Sequence, residues 1–204
     1  MDMTDLASPT DILMQEHRLI EHVLDALETA ADQMERRQAV RPGFFLDAAD
    51  FIAGFADGCH HRKEEGVLFG ALRDSGMPVA GGPIELMLDE HEQGRRLARG
   101  MRDAARRLEG SDAARQPEGS DDDADRRSLI TNARGYVALL REHIIKEDEM
   151  LFPMADELLS AERQDQVRQG FEQVERDDMG AGAAEKFQTL ADKLGREANA
   201  LRPT

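Results

Sequence analysis

Apolar residues recur at every third or fourth position through most of the chain, the spacing of amphipathic helices, and the period-two alternation of strands is essentially absent. The first helical stretch covers about 10–38: Thr10-Asp11 offers a cap after Pro9, Leu13, Ile20, Leu24, Leu27 and Met34 share one side, and Arg41-Pro42-Gly43 ends it. A second covers 44–73 and stops at Ser75-Gly76-Met77-Pro78; a third covers 83–108. A fourth covers 125–159, with Pro153 expected to kink it or mark its effective end. Residues 110–125, rich in Gly, Ser, Pro and Asp, read as a solvated acidic loop. Weaker patterns over 161–178 and 183–201 are divided by Met179-Gly180-Ala181-Gly182. The expectation is an all-α chain: an arm over 1–9, an up-down-up-down four-helix bundle over 10–160, and an accessory helical segment over 161–204.

Two of these helices carry the same run. His60-His61-Arg62-Lys63-Glu64-Glu65-Gly66-Val67-Leu68-Phe69 and His143-Ile144-Ile145-Lys146-Glu147-Asp148-Glu149-Met150-Leu151-Phe152 share His-x-x-Lys-Glu-(Glu/Asp)-x-x-Leu-Phe. His and Glu four apart on an α-helix are separated by only about 40° around the axis, so each run offers a nitrogen and an oxygen donor on one face. The other two helices each place a Glu-His pair shortly after Met, in Met14-Gln15-Glu16-His17 and Met87-Leu88-Asp89-Glu90-His91. A lone-His helix followed by a His-x-x-x-Glu helix, twice over, is the pattern of two helix pairs facing each other.

At about 100° per residue these donors lie among apolar neighbours. His143 shares its face with Tyr136, Leu139, Leu140, Met150 and Met154, and His91 with Ile84, Met87, Leu88, Ala98 and Leu108. His17 lies with Leu13, Ile20 and Leu24, and His60 with Ala49, Ala53, Ala56, Val67 and Ala71. An ionised carboxylate in such a stripe loses several kcal/mol of hydration or becomes protonated, and a cation removes the difficulty. Four imidazoles and two carboxylates exceed what one tetrahedral zinc takes and suit two first-row metals bridged by the carboxylates. Taken singly, each residue has a plainer reading, a hydrogen-bonded core histidine or a surface pair at helical spacing; their joint occurrence on four helices favours a shared site. Glu21, one turn after His17, is a candidate extra ligand or supporting group; His22, His61 and Glu65 are expected to turn to solvent or a neighbouring helix.

Composition narrows the chemistry. Lys and Arg number 26 against 42 Asp and Glu, a net charge of -16, so no basic stripe exists for nucleic acid. Cys59 is the only cysteine, which excludes an internal disulfide and a thiolate-built zinc or iron–sulfur site and leaves nitrogen and oxygen to hold any metal. It is expected to be a buried structural thiol. No apolar run spans a bilayer and no basic-then-apolar leader opens the chain, so a cytoplasmic protein without a membrane partner is expected.

On these motifs the chain resembles the hemerythrin family in its HHE cation-binding branch, over about Thr10 to Leu159. Leu151-Phe152-Pro153 follows the second pair, while Leu68-Phe69-Gly70 keeps only the first two of those residues. The resemblance implies two irons with an oxo or hydroxo bridge, replaceable by Mn or Zn, with His17, His60, His91 and His143 as terminal ligands and Glu64 and Glu147 as bridges. Oxygen-carrying members have a further histidine one turn after the third-helix ligand; here that position is Arg95, which argues against simple oxygen carriage and makes Arg95 a candidate supporting residue. The pattern is similar to the four-His, two-Glu branch of iron–sulfur-cluster repair and iron-sensing hemerythrin domains. Repair members carry a cysteine-containing domain ahead of the bundle, and about ten residues without cysteine stand here.

The leading expectation is a protein that binds or reduces a small oxidant such as O2, peroxide or NO, with weak redox activity and no defined enzymatic reaction. Tyr136, two turns before His143, is a candidate hydrogen-bond donor to that ligand, against a plain packing role. The alternative is an iron or redox sensor, or an iron store or donor, acting through a protein partner of unknown identity. A metal-free helical adaptor ranks last, because it leaves the buried carboxylates without a purpose.

Overall fold

The computed structural model describes residues 7–110, 121–179 and 182–202, and most of the expected acidic loop and N-terminal arm lie outside them. The described residues form six long helices and no strand: α1 (Pro9–Glu35), α2 (residues 42–74), α3 (Pro83–Glu109), α4 (residues 121–158), α5 (residues 161–179) and α6 (Ala183–Leu201). None is long and apolar enough to cross a membrane.

The cap of α1 is Ser8 rather than Thr10. Its hydroxyl accepts from Asp11 N–H while the Asp11 carboxylate accepts from Ser8 N–H, and Pro9 takes the first helical position, where its missing N–H costs nothing. The helix ends three residues earlier than expected. Arg37 adopts a left-handed φ of 57°, with Arg37 N–H bonding Met34 O and Gln38 N–H bonding Gln33 O, so the last carbonyls are satisfied by a Schellman turn.

Helices α2 and α4 are wound unevenly. Within α2, Ile52–His61 and Glu64–Leu68 form i→i+5 hydrogen bonds; within α4, Glu147–Leu151 does the same. Glu64 O accepts from Phe69 N–H and Glu147 O from Phe152 N–H, so the same π-turn follows each metal-motif glutamate. Pro153 is not the common cause, since Gly70 holds the matching place in α2. Nor does Pro153 stop α4, which continues to Leu158 beyond the widened turn. Each π-turn adds one residue to a turn and retards everything after it by about 100°. That corrects the helical-wheel reading: Met150 and Met154, expected beside His143, are exposed, and Leu151, Phe152 and Ala155 are buried in their stead. Leu88 is also partly exposed, at the margin of the α3 stripe.

α3 packs along α4 and α2, and α1 packs along α4 and α6. Two apolar clusters result. The larger gathers Leu24, Leu27, Phe44, Phe45, Met101 and Tyr136 with Phe187 and Leu194 of α6; the smaller gathers Leu13, Leu68, Phe69, Met87, Leu151 and Phe152 with Phe171 of α5. Phe187 seats its ring on Gly54, where an added Cβ would stand 2.4 Å from it. Between the clusters lies a layer of buried His and Glu, because on every helix of the bundle the polar donors fall between residues of the two.

A left-handed backbone costs a non-glycine residue about 1–2 kcal/mol. Arg37→Gly is therefore expected to raise the unfolding free energy by about 1 kcal/mol in urea titration; an unchanged midpoint would mean that the lost Arg37–Asp123 pair at 3.5 Å offsets the relief.

Candidate metal centre

The six expected donors meet in this middle layer. His17, His60, His91 and His143 are each no more than 1% exposed, and Glu64 and Glu147 are fully buried. The histidines converge through their Nε2 atoms, His17 on His60 at 3.0 Å and His91 on His143 at 3.0 Å. The carboxylates stand between the two pairs. Glu64 faces His60 through Oε1 at 3.5 Å and His91 through Oε2 at 3.4 Å; Glu147 Oε2 faces His17 at 3.2 Å and His143 at 3.3 Å.

Behind each ring a carboxylate takes the other nitrogen. Asp148 accepts from His17 Nδ1 at 2.6 Å, Glu16 from His60 at 3.0 Å, Glu65 from His91 at 2.7 Å and Glu90 from His143 at 2.9 Å. A proton fixed on Nδ1 leaves the Nε2 lone pair pointing inward and raises its basicity, as a metal ligand requires. Lys63 and Lys146 then neutralise Glu16 and Glu90. Phe152 stacks on His17 with ring centroids 5.5 Å apart and Phe69 on His91 at 6.1 Å, which fixes the ring planes. Every one of these contacts has its counterpart in the other half. Glu16, His17, His60, Lys63, Glu64, Glu65 and Phe69 correspond in order to Glu90, His91, His143, Lys146, Glu147, Asp148 and Phe152.

All four oxygens of Glu64 and Glu147 are buried without a hydrogen bond among the described residues. A hydrogen bond contributes about 1 kcal/mol net, whereas a desolvated carboxylate costs several, so this pair calls for a cation between the two or for uptake of a proton. Burial, then the charge of Glu147, pushes Glu64 well above the usual carboxylate range. Burial also opposes ionisation of Glu147, but the imidazoles of His143, His17 and His60 hold it down to about 2. Burial keeps His60, His61 and His91 below their ordinary 6.5, in the neutral form that binds metals. For His17 burial is outweighed by the hydrogen bond to Asp148 and by the nearby charge of Glu147, which lift it to about 8. Among the described residues two donor sets have atoms all within 4.8 Å of one another: His17, His60, Glu64 and Glu147, and His61, Glu64, His91 and His143.

The supporting candidates divide. Arg95 donates to Asp57 at 2.7 Å and to Glu65 at 2.6 Å, one residue removed from His91. Tyr136 is buried, its hydroxyl without a hydrogen bond among the described residues, and lines a cavity of about 140 Å³ together with His61, Arg95, Ala53, Gly94 and Ala98. Glu21 is not brought to the centre; its carboxylate pairs with Arg18 at the surface. His22 is exposed on α1. Cys59 is 1% exposed, and burial pushes its thiol up to about 12, as an inert core group. Sequence reading missed the roles of Glu16, Glu90 and Asp148. Their signal was visible: each stands beside a ligand histidine or glutamate at the same offset in both halves. It left His61 to solvent or a neighbouring helix, and the structure has the second: His61 is buried with its ring on His91 of α3.

The family described as Hemerythrin HHE cation binding domain matches residues 8–155. The chain is 29% identical over 136 residues to the iron-sulfur cluster repair protein YtfE of Dickeya chrysanthemi (strain Ech1591), covering 65% of this chain and 57% of that protein. No solved structure matches significantly.

These shifts set the pH response of chelator-treated protein. With folded values below 6.5, His60, His61 and His91 contribute fully above pH 6.5, and stability falls below it as the unfolded chain takes up protons that the fold refuses. Glu64 opposes that trend with a single proton. His17, raised to about 8, contributes fully below pH 6.5 and loses its share as pH rises through 8. Urea titrations should therefore find a stability maximum near pH 6.5; a steady rise from acid to alkali would contradict the raised value of His17, and no loss of stability below pH 6.5 would contradict the buried placement of the other three rings.

Proposed function

The chain belongs to the hemerythrin HHE cation-binding domain family, and we propose that it holds two iron ions that react with a small oxidant such as O2, peroxide or NO. The observation that carries this reading is the set of four unpartnered carboxylate oxygens facing four imidazole Nε2 atoms in a layer sealed above and below by apolar side chains. On this reading His17 and His60 serve one ion, His91 and His143 the other, and Glu64 and Glu147 bridge, at the centre of an up-down-up-down bundle. Iron supplies redox electrons and an open coordination position.

The protein's own groups do the rest. The outer carboxylates hold the imidazoles in one tautomer, and the apolar clusters exclude bulk water. The cavity between α2 and α3, about 140 Å³ in volume and reaching His61, has room for a diatomic or a peroxide. The Tyr136 hydroxyl on its wall is available to donate a hydrogen bond to what enters.

A second reading, iron delivery or cluster repair through a protein partner, is favoured by the name of the Dickeya relative and by one contact: Lys63, fully buried, joins Glu16 behind His60 to Glu175 of α5 at 2.6 Å. A partner gripping α5 would act on His60 through that lysine.

Metal analysis of purified protein should find about two irons per chain, and Glu147→Ala one or none; two irons retained in that variant would refute bridging. Stopped-flow mixing of the reduced protein with O2, peroxide and NO then separates oxidant chemistry from delivery, for which iron transfer to a cluster-free acceptor is the measurement. Ala98→Phe, which fills the cavity, should slow oxidation with iron content unchanged. Undiminished rates would place the entry route elsewhere.

A further inference from the structure

His61 is the unrepeated member of the layer. In the other half its place is taken by Ile144, an apolar residue in the larger core. His61 is 3% exposed, yet neither of its ring nitrogens makes a hydrogen bond among the described residues; the nearest carboxylate oxygen, Asp57 Oδ1, lies 3.5 Å from Nδ1. Its ring lies flat on His91, centroids 3.9 Å apart and planes within 15°, and meets His143 edge-on at 5.9 Å. One of its nitrogens falls within 4.8 Å of a nitrogen each from His91 and His143 and of an oxygen from Glu64.

A buried imidazole with both nitrogens unpaired is a poor filler where its counterpart is isoleucine. Like the four expected ligands it has a carboxylate on its Nδ1 side, here Asp57 held by Arg95; unlike the pairs His17–His60 and His91–His143, whose planes meet at 59° and 65°, it lies face to face on His91, so its ring must turn to bring a nitrogen lone pair to an ion that His91 also holds. We propose that His61 is a seventh metal donor, serving the His91–His143 position. This rests on the dinuclear reading above and deepens it. The two positions are then unequal: three imidazoles converge on one and two on the other, with Glu64 and Glu147 shared. The cavity reaches His61 itself, so the third imidazole stands between the entry route and the ion it serves.

The test replaces His61 by the residue that the other half uses. In His61→Ile, loaded with iron-57, Mössbauer spectra should show one quadrupole doublet where the unsubstituted protein shows two of equal area, and one of the two ions should bind at least about tenfold more weakly. Identical spectra and identical binding of both ions would overturn the proposal. A second measurement needs no variant. The chain has six histidines; with nitrogen-15 histidine and zinc as the metal, five rings should show a metal-shifted nitrogen, and a count of four would overturn the assignment. A protein that takes up neither iron nor zinc would instead refute the dinuclear reading on which it stands.

Discussion

Two carboxylates share one dry layer, and most of the molecule is arranged around that difficulty. Glu64 and Glu147 are fully buried and their oxygens accept no hydrogen bond among the described residues. In water each would be solvated; here each needs positive charge at close range, and the nearest lysines, Lys63 and Lys146, are committed one layer further out to Glu16 and Glu90. Charge therefore alternates outward from the centre: an inner acidic pair, imidazoles that carry no full charge when neutral, outer carboxylates, then the lysines. A cation at its middle would supply the missing positive charge and would couple metal binding to the stability of the fold.

The solution is built once and used twice. A helix with Glu-His and a helix with His-x-x-Lys-Glu-(Glu/Asp)-x-x-Leu-Phe supply two inward imidazoles, one inner carboxylate and one lysine-backed carboxylate, while the acid and the phenylalanine reach across to orient a ring of the lone-His helix of the other pair. Asp148 and Phe152 of α4 thus both act on His17 of α1, and Glu65 and Phe69 of α2 both act on His91 of α3. Neither helix pair completes its own imidazole support. This reciprocity explains why the four helices must associate as a set before the donors are fixed.

Helix limits and donor identities were legible because they rest on local rules. Proline at the first helical position and glycine-proline breaks place α2 and α3 to within a residue or two, and the repeated His-x-x-x-Glu run names the centre. What remained hidden depends on helix winding. A wheel turned at a constant 100° puts Met150 and Met154 inward, and the π-turn over Glu147–Leu151 reverses this; for His61 the wheel leaves solvent and a neighbouring helix both open, and the structure buries it against His91. Glu21 failed for another reason: one turn from His17 is the right height, but its partner Arg18 stands on the outer face beside it. The Arg95 position illustrates a further limit, since a nitrogen missing at one place in the sequence says nothing of another imidazole arriving from a different helix.

Departures from the repeat collect on one side. The extended π-segment, the histidine in place of isoleucine, the second carboxylate on Lys63 and the gap beneath Tyr136 all involve α2. The α4 half, by contrast, keeps a plain lysine–glutamate pair and an isoleucine. A single molecule thus contains both the unadorned form of the motif and its elaborated form, and each substitution on the α2 side has a matched control already present about the pseudo-axis, at the same depth and in the same solvent.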